Sequence, residues 1–142
     1  MFAMAADLYS TNLLALAARL RAERLTDPDG TARRTSRLCG SELELDVEMD
    51  GTRVADAAVR VRACALGQAS AAVLMGAIQG ATLEELREAR DAVFAMLKDR
   101  GVPPEGRFAE AAALESVRDY PARHQSVMLA WDAAVDAVED AC

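Results

Sequence analysis

Between Ser41 and Met49 the chain alternates strictly. Leu43, Leu45, Val47 and Met49 are apolar, and the residues between them are polar or charged. A period of two gives an extended strand one apolar face and one polar face; it does not suit a helix, whose faces repeat every 3.6 residues. Asp50-Gly51 follows as a turn signal. Ala57, Val59, Val61 and Ala63 then repeat the alternation over about 54–63, with Arg60 and Arg62 on the other face. The two strands are expected to pair as an antiparallel hairpin buried on one side. Odd positions must face odd positions across the ladder, which asks for a connection of three or five residues rather than two. The outer face then sets Glu42 and Glu44 opposite Arg60 and Arg62.

The remainder of the chain reads as helix. Leu13, Leu16, Ala17 and Leu20 fall at i, i+3, i+4 and i+7, with Asp7 or Ser10 as a cap, and predict a helix over 8–25. TDPDGTARRTS breaks it. Its turn formers and Arg33, Arg34 and Arg37 read as an exposed basic loop, either a solvated connection or a partner-docking segment. At Ala65 the period changes, and GQASAAVLMGAIQG predicts a buried helix over 67–79 whose small residues would let it lie close to a sheet. Thr82 and Glu85 form a capping box for a helix over 83–99, with Leu86, Ala89, Val93, Met96 and Leu97 on one face. A shorter helix is expected at 107–116. Pro121 suits the first turn of a last helix, whose face carries Val127, Trp131, Ala134, Val135 and Val138. The fold class is α+β: a small antiparallel sheet of two to three strands, packed on one face by helices, in one domain over 1–142.

A chain of 142 residues can bury a core without disulfides. Its net charge of −7 argues against nucleic acid and anionic membranes as partners. No stretch is long enough to span a bilayer, and MFAMAADLYS lacks the features of a secretory signal. Three cysteines do not make a disulfide framework, so a cytoplasmic protein with reduced thiols is expected. The sequence has no phosphate loop, dinucleotide fingerprint, zinc-protease motif, nucleophile elbow or paired-cysteine zinc knuckle.

Two of the cysteines draw attention by position. Cys39 comes just before the first strand and Cys64 just after the second, so the hairpin brings their thiols within a few Å to about 10 Å. Cys64 also precedes a helix N-terminus, which favours thiolate over thiol. This pattern fits a metal, cluster or persulfide site. It equally fits two ordinary buried cysteines, and the local pattern leaves both readings open. Cys142 at the chain's last position reads as incidental.

Three stretches carry a resemblance: Cys39-Gly40-Ser41, Ala63-Cys64-Ala65-Leu66-Gly67-Gln68-Ala69-Ser70, and Tyr120-Pro121-Ala122-Arg123-His124-Gln125-Ser126. They resemble the three ligand motifs of the NifU/IscU/SufU iron–sulfur cluster assembly scaffold family. The likeness runs from residues 7–10 to the last helix and is closest to the SufU-like branch, with 62 residues separating Cys64 from Ser126. The resemblance implies a SufE/NifU-like fold and a site for an iron–sulfur cluster or zinc. It also implies a cysteine desulfurase and other cluster-assembly proteins as partners. Cys39 and Cys64 match the family's metal ligands. Ser41 stands where the family has aspartate, and Ser126 where it has its third cysteine; hydroxyls are poorer ligands than the groups they replace. His124 can offer a nitrogen, but it lies two residues before Ser126, roughly 200° round a helix.

Three functions follow from the resemblance. The first is a cluster scaffold or carrier with a reduced ligand set, two thiolates sharing a cluster with a second protomer or a small thiol. The second is a persulfide relay from a cysteine desulfurase, with Cys64 as carrier and Cys39 as a resolving or structural thiol. The third is a degenerate partner of the assembly machinery that carries nothing. In none is the chain expected to turn over a small molecule by itself.

Overall fold

A computed structural model describes residues 11–37 and 40–142. Helix α1 (Thr11–Ala18) leads into strands β1 (Gly30–Thr35), β2 (Glu42–Asp50) and β3 (Arg53–Arg62). Helices α2 (Ala65–Ala77) and α3 (Leu83–Lys98) follow, then a 3-10 segment (Gly106–Asp119), a 3-10 turn (Pro121–Arg123) and α4 (His124–Ala141). The sheet is antiparallel with order β1-β2-β3.

The hairpin has the expected faces. Leu43, Leu45, Val47 and Val59 are buried in the core, and Glu42 and Glu44 sit opposite Arg62 and Arg60. Its connection differs from expectation. Asp50 pairs with Arg53, so only Gly51 and Thr52 form the loop, Gly51 with the positive φ of +63° that glycine accepts at no cost. A bulge resolves the parity: Glu48 faces Asp56 while Met49 faces Val54, which leaves Ala55 as the extra residue.

The basic stretch before the hairpin is not a loop. Gly30–Thr35 forms β1 and pairs with β2 from Gly30↔Val47 to Thr35↔Glu42. The pattern concealed it because the strand is mostly exposed, and its arginines, though open to water, also reach acidic partners. Arg33 bonds both oxygens of Glu42, and Arg34 bonds Asp136 on α4 at 2.6 Å. Gly30 lets α4 lie directly on the strand, since a Cβ there would fall 2.1 Å from the Ala137 carbonyl oxygen and 2.8 Å from the Ala141 nitrogen. Gly30→Ala must displace α4 and should cost about 1–3 kcal/mol in urea unfolding; an unchanged midpoint would show that the helix end yields freely.

Helix α1 ends at Ala18, short of the expected residue 25; its expected cap and the residues before Thr11 lie outside the described residues. The chain beyond it is held by polar contacts rather than helical ones. Asp46, expected on the exposed face, is buried and organises this region. It accepts from Arg60 Nη1 and Nη2 at 2.9 and 3.1 Å, from the Leu25 N–H at 3.1 Å and from the Thr31 hydroxyl at 3.1 Å. Arg60 also donates to the Glu23 carbonyl. The outer edge of β3 is covered at two points, by a bridge from Ala22 to Val59 and one from Thr82 to Arg53, which limits edge-to-edge pairing with other chains.

Helix α2 is buried over most of its surface, as expected, but it lies chiefly against α1 and α4, with a smaller contact to β3. The close approach to α4 is polar at one point: the Ser70 hydroxyl donates to the Val127 carbonyl at 2.7 Å and accepts from the Trp131 indole N–H at 2.9 Å. Helix α3 carries the capping box at Thr82 and Glu85 and buries the predicted stripe. The segment expected as a short helix at 107–116 is a 3-10 run over Gly106–Asp119, irregular at Phe108, which packs edge-on against Trp131. Helix α4 buries the predicted face.

Candidate thiol site

Three stretches far apart in sequence meet at one end of the sheet: the entry to β2, the start of α2 and the first turn of α4. The alternation that begins at Ser41 delivers its side chain to the buried face. The change from strand to helix at Cys64 makes that residue the N-cap of α2, with extended φ/ψ of −65° and 171°. Pro121 starts the turn that feeds α4, and Ser126 faces inward from it. Ser126 Oγ lies 3.6 Å from Cys64 Sγ and 3.3 Å from Ser41 Oγ. Both serines are buried, while Cys64 is partly exposed. Gly67 allows the approach, because a Cβ at that position would meet Ala63 Cβ at 2.7 Å and Ser126 Oγ at 3.1 Å.

Opposing influences act on the Cys64 thiol. Burial pushes its pKa up; the Gly67 N–H, the Ser126 hydroxyl, the Leu66 N–H and the Arg123 guanidinium together outweigh it, so the pKa lies below the usual thiol range. The N–H groups belong to the first turn of α2 and act through their orientation, since Cys64 makes no regular capping hydrogen bond. The arrangement suits a partly open thiolate nucleophile braced by a hydroxyl and a cation.

The same donors do not make a metal centre by themselves. Among the described residues no three His, Cys, Asp or Glu side chains group so as to hold an ion. Beside Cys64 stands the Ser126 hydroxyl, with that of Ser41 next to it in turn, where zinc or iron prefers thiolate, imidazole or carboxylate. Cys39 lies outside the described residues.

His124 is engaged elsewhere. Its Nε2–H donates to the carbonyls of Val117 at 3.2 Å and Arg118 at 3.1 Å, which ties the 3-10 segment to α4. Both partners are acceptors, so the ring proton sits on Nε2, and the buried Nδ1 has no hydrogen-bond partner among the described residues. Cys142 is exposed at the far end of α4. Arg33 and Arg34 are tied to Glu42 and Asp136; the cation that acts on the thiol is Arg123. Reading the sequence did not single out Arg123 or Gly67. Arg123 stood at i−3 from Ser126, the spacing that places two side chains on one helix face. Gly67 was visible as the small residue one turn after Cys64.

The model of the NifU-like N-terminal domain family matches residues 21–140. The iron–sulfur cluster assembly scaffold protein IscU of Streptococcus pyogenes serotype M1 is 28% identical over 101 residues, covering 71% of this chain and 64% of that protein. The zinc-dependent sulfurtransferase SufU of Bacillus subtilis is 27% identical over 95 residues, covering 67% of this chain and 65% of that protein. The chain thus spans a little under two thirds of the length of these two curated relatives. Among solved structures, the N-terminal part of a nitrogen-fixing NifU-like protein from Brucella abortus superposes with a TM-score of 0.94 at 45% identity, covering 97% of this chain and 96% of that one. The scaffold protein SufU from Fervidobacterium islandicum shares the fold at a TM-score of 0.85 and 22% identity, covering 94% of this chain and 98% of that one. The chain belongs to the NifU-like N-terminal domain family.

Proposed function

We propose that this chain works in iron–sulfur cluster assembly as a scaffold-type protein with a reduced ligand set. The observation that supports this reading is the convergence of Ser41, Cys64 and Ser126, one from each motif stretch, at a single partly open point. In this reading Cys39 and Cys64 are the thiolates, Ser41 and Ser126 occupy the family's aspartate and third-cysteine positions, and a cluster or zinc ion is cargo. A cysteine desulfurase and other assembly proteins are the partners, and the cytoplasm is the setting. No described helix is long and apolar enough to cross a membrane. Elemental analysis of protein purified without oxygen tests the reading. Iron with acid-labile sulfide is expected in the parent and should disappear in Cys64→Ser; a parent protein free of iron and zinc would sink it.

A second reading has its own observation. The thiol with a lowered pKa has the Ser126 hydroxyl for a neighbour, which favours a persulfide acceptor. The Cys64 thiolate would attack the outer sulfur of a desulfurase persulfide. A new S–S bond forms on Cys64, the donor's S–S bond breaks, and the donor cysteine leaves as thiolate. Two results are expected. Cys64 should alkylate faster than Cys142 near neutral pH, and should keep its reactivity to lower pH, because its folded pKa lies below the ordinary thiol value. Ser126→Ala should slow it several-fold. Peptide mapping after brief iodoacetamide treatment checks both; equal labelling of the two cysteines would remove the basis of this reading.

A further inference from the structure

We propose that the groove bounded by β1, α3 and α4 docks an acidic segment of a protein partner that carries an apolar anchor residue. The groove encloses about 750 Å³. One rim carries Arg34 and Arg37, and the other carries Arg90 and Lys98 from α3. Between them Phe94 lies 48% exposed, with Met128 and Leu129 beside it. Arg90, Phe94 and Lys98 are four residues apart in turn and form one stripe along the helix.

The charges decide what fits. Asp91 and Asp132 also line the groove; Arg90 bonds Asp91, and Arg34 bonds Asp136. Arg37 and Lys98 have no ion pair among the described residues. With Asp136 counted beside Arg34, four cations meet three carboxylates, a small positive excess on a chain of net charge −7 in which Arg37 and Lys98 are the charges left to a partner. The cations come from two elements on either side of an apolar floor. A small anion needs donors gathered at one point. A peptide with carboxylates on both sides of an apolar side chain uses both rims and the floor together, and arginine with an exposed aromatic is a composition typical of protein interfaces. Gln125 lines the groove, whereas Ser41, Cys64 and Ser126 do not, so the groove is a surface separate from the thiol site. This inference does not depend on what the thiol carries.

The test begins with p-benzoylphenylalanine at position 94 of the full chain, photo-cross-linked in an extract of the source cells. The captured segment is sequenced, synthesised with a fluorophore and titrated by anisotropy. We expect a net-negative segment with at least one large apolar residue. Arg37→Glu with Lys98→Glu should weaken its binding at least tenfold, and rising salt should weaken it in the parent. Arg21→Glu with Arg24→Glu, placed towards the opposite edge of the sheet, should leave it unchanged. A neutral or basic segment, a cross-link within the chain or to a second copy, no cross-link at all, or equal binding by the Arg37/Lys98 variant would each overturn the proposal. Unchanged Cys64 alkylation in that variant shows that the thiol site is intact.

Discussion

Changing Ser41 to aspartate and Ser126 to cysteine in one chain should produce a protein that takes up zinc at least roughly 100-fold more tightly than the parent, since even outer-shell losses shift zinc affinity by about 10–100-fold. The geometry is already close. Ser126 Oγ lies 3.6 Å from Cys64 Sγ and 3.3 Å from Ser41 Oγ. Two thiolates on a tetrahedral zinc ion are about 3.8 Å apart, given Zn–S distances of about 2.3 Å. What the parent lacks is donor chemistry rather than shape. The double variant would pair two thiolates with a carboxylate, and Cys39 is the proposed fourth ligand. Its metal-free form should be less stable than the parent by a few kcal/mol, because Ser41 is only 3% exposed and a carboxylate in its place loses most of its hydration. Added zinc should then raise the melting temperature with the logarithm of its concentration. Titration against a competing chelator, with Cys64→Ser as control, measures the gain. If zinc binds the parent and the double variant alike, Ser41 and Ser126 are not the positions that matter.

The second large effect lies away from the site. Asp46→Ala should cost about 3–5 kcal/mol at neutral pH, the loss expected when one member of a buried ion pair is removed. The Asp46 side chain is 4% exposed and that of Arg60 16%, so solvent screening offers little relief. Burial raises the Asp46 pKa, but hydrogen bonds from Arg60, Leu25 and Thr31 outweigh it and leave the carboxyl below its usual value. The sign of the pH dependence follows. The stabilisation is present above the unfolded value of about 3.9 and is lost as pH falls through the lower folded value. Parent and variant should therefore differ most at neutral pH and converge in acid. Replacing Arg60 by methionine in the Asp46→Ala background should recover part of the loss, since a half-buried guanidinium left with only the Glu23 carbonyl and the more distant Glu44 is removed. Urea unfolding at pH 7 and pH 3 reads all of this, and a neutral-pH loss under about 1 kcal/mol would show that the pair adds little.

Much of the fold could be read from periodicity. The two strands at 42–50 and 53–62 and the helices from Ala65, Leu83 and His124 each have a repeat that burial enforces, and each formed. The failures occur where something other than burial sets the structure. β1 has an Arg-Arg pair in a short edge strand, and what holds it is pairing with β2 together with Asp136 and Asp140 of α4, more than 100 residues away in sequence. The two-residue loop was missed because a bulge at Ala55 carries no residue signature. Asp46 looked like a surface position until Arg60, Leu25 and Thr31 supplied its partners. At the site, the position of Cys64 before a helix pointed to the Gly67 and Leu66 N–H groups that face its thiol. The neighbours that complete the effect, Ser126 and Arg123, are brought there by the packing of α4, which local pattern does not encode.

The contact between Ser70 and Trp131 has a practical consequence. The chain has one tryptophan, and its ring is 1% exposed, bonded through nitrogen to α2 and lying edge-to-face with Phe108 at 5.4 Å. It is five residues along the helix from Ser126. Excited at the long-wavelength edge, where the two tyrosines do not absorb, the protein therefore emits from a single fluorophore at the seam between the two helices that carry Cys64 and Ser126. Any event at the thiol that shifts one helix against the other should change the colour or intensity of that light, so the molecule reports on its own site without a label.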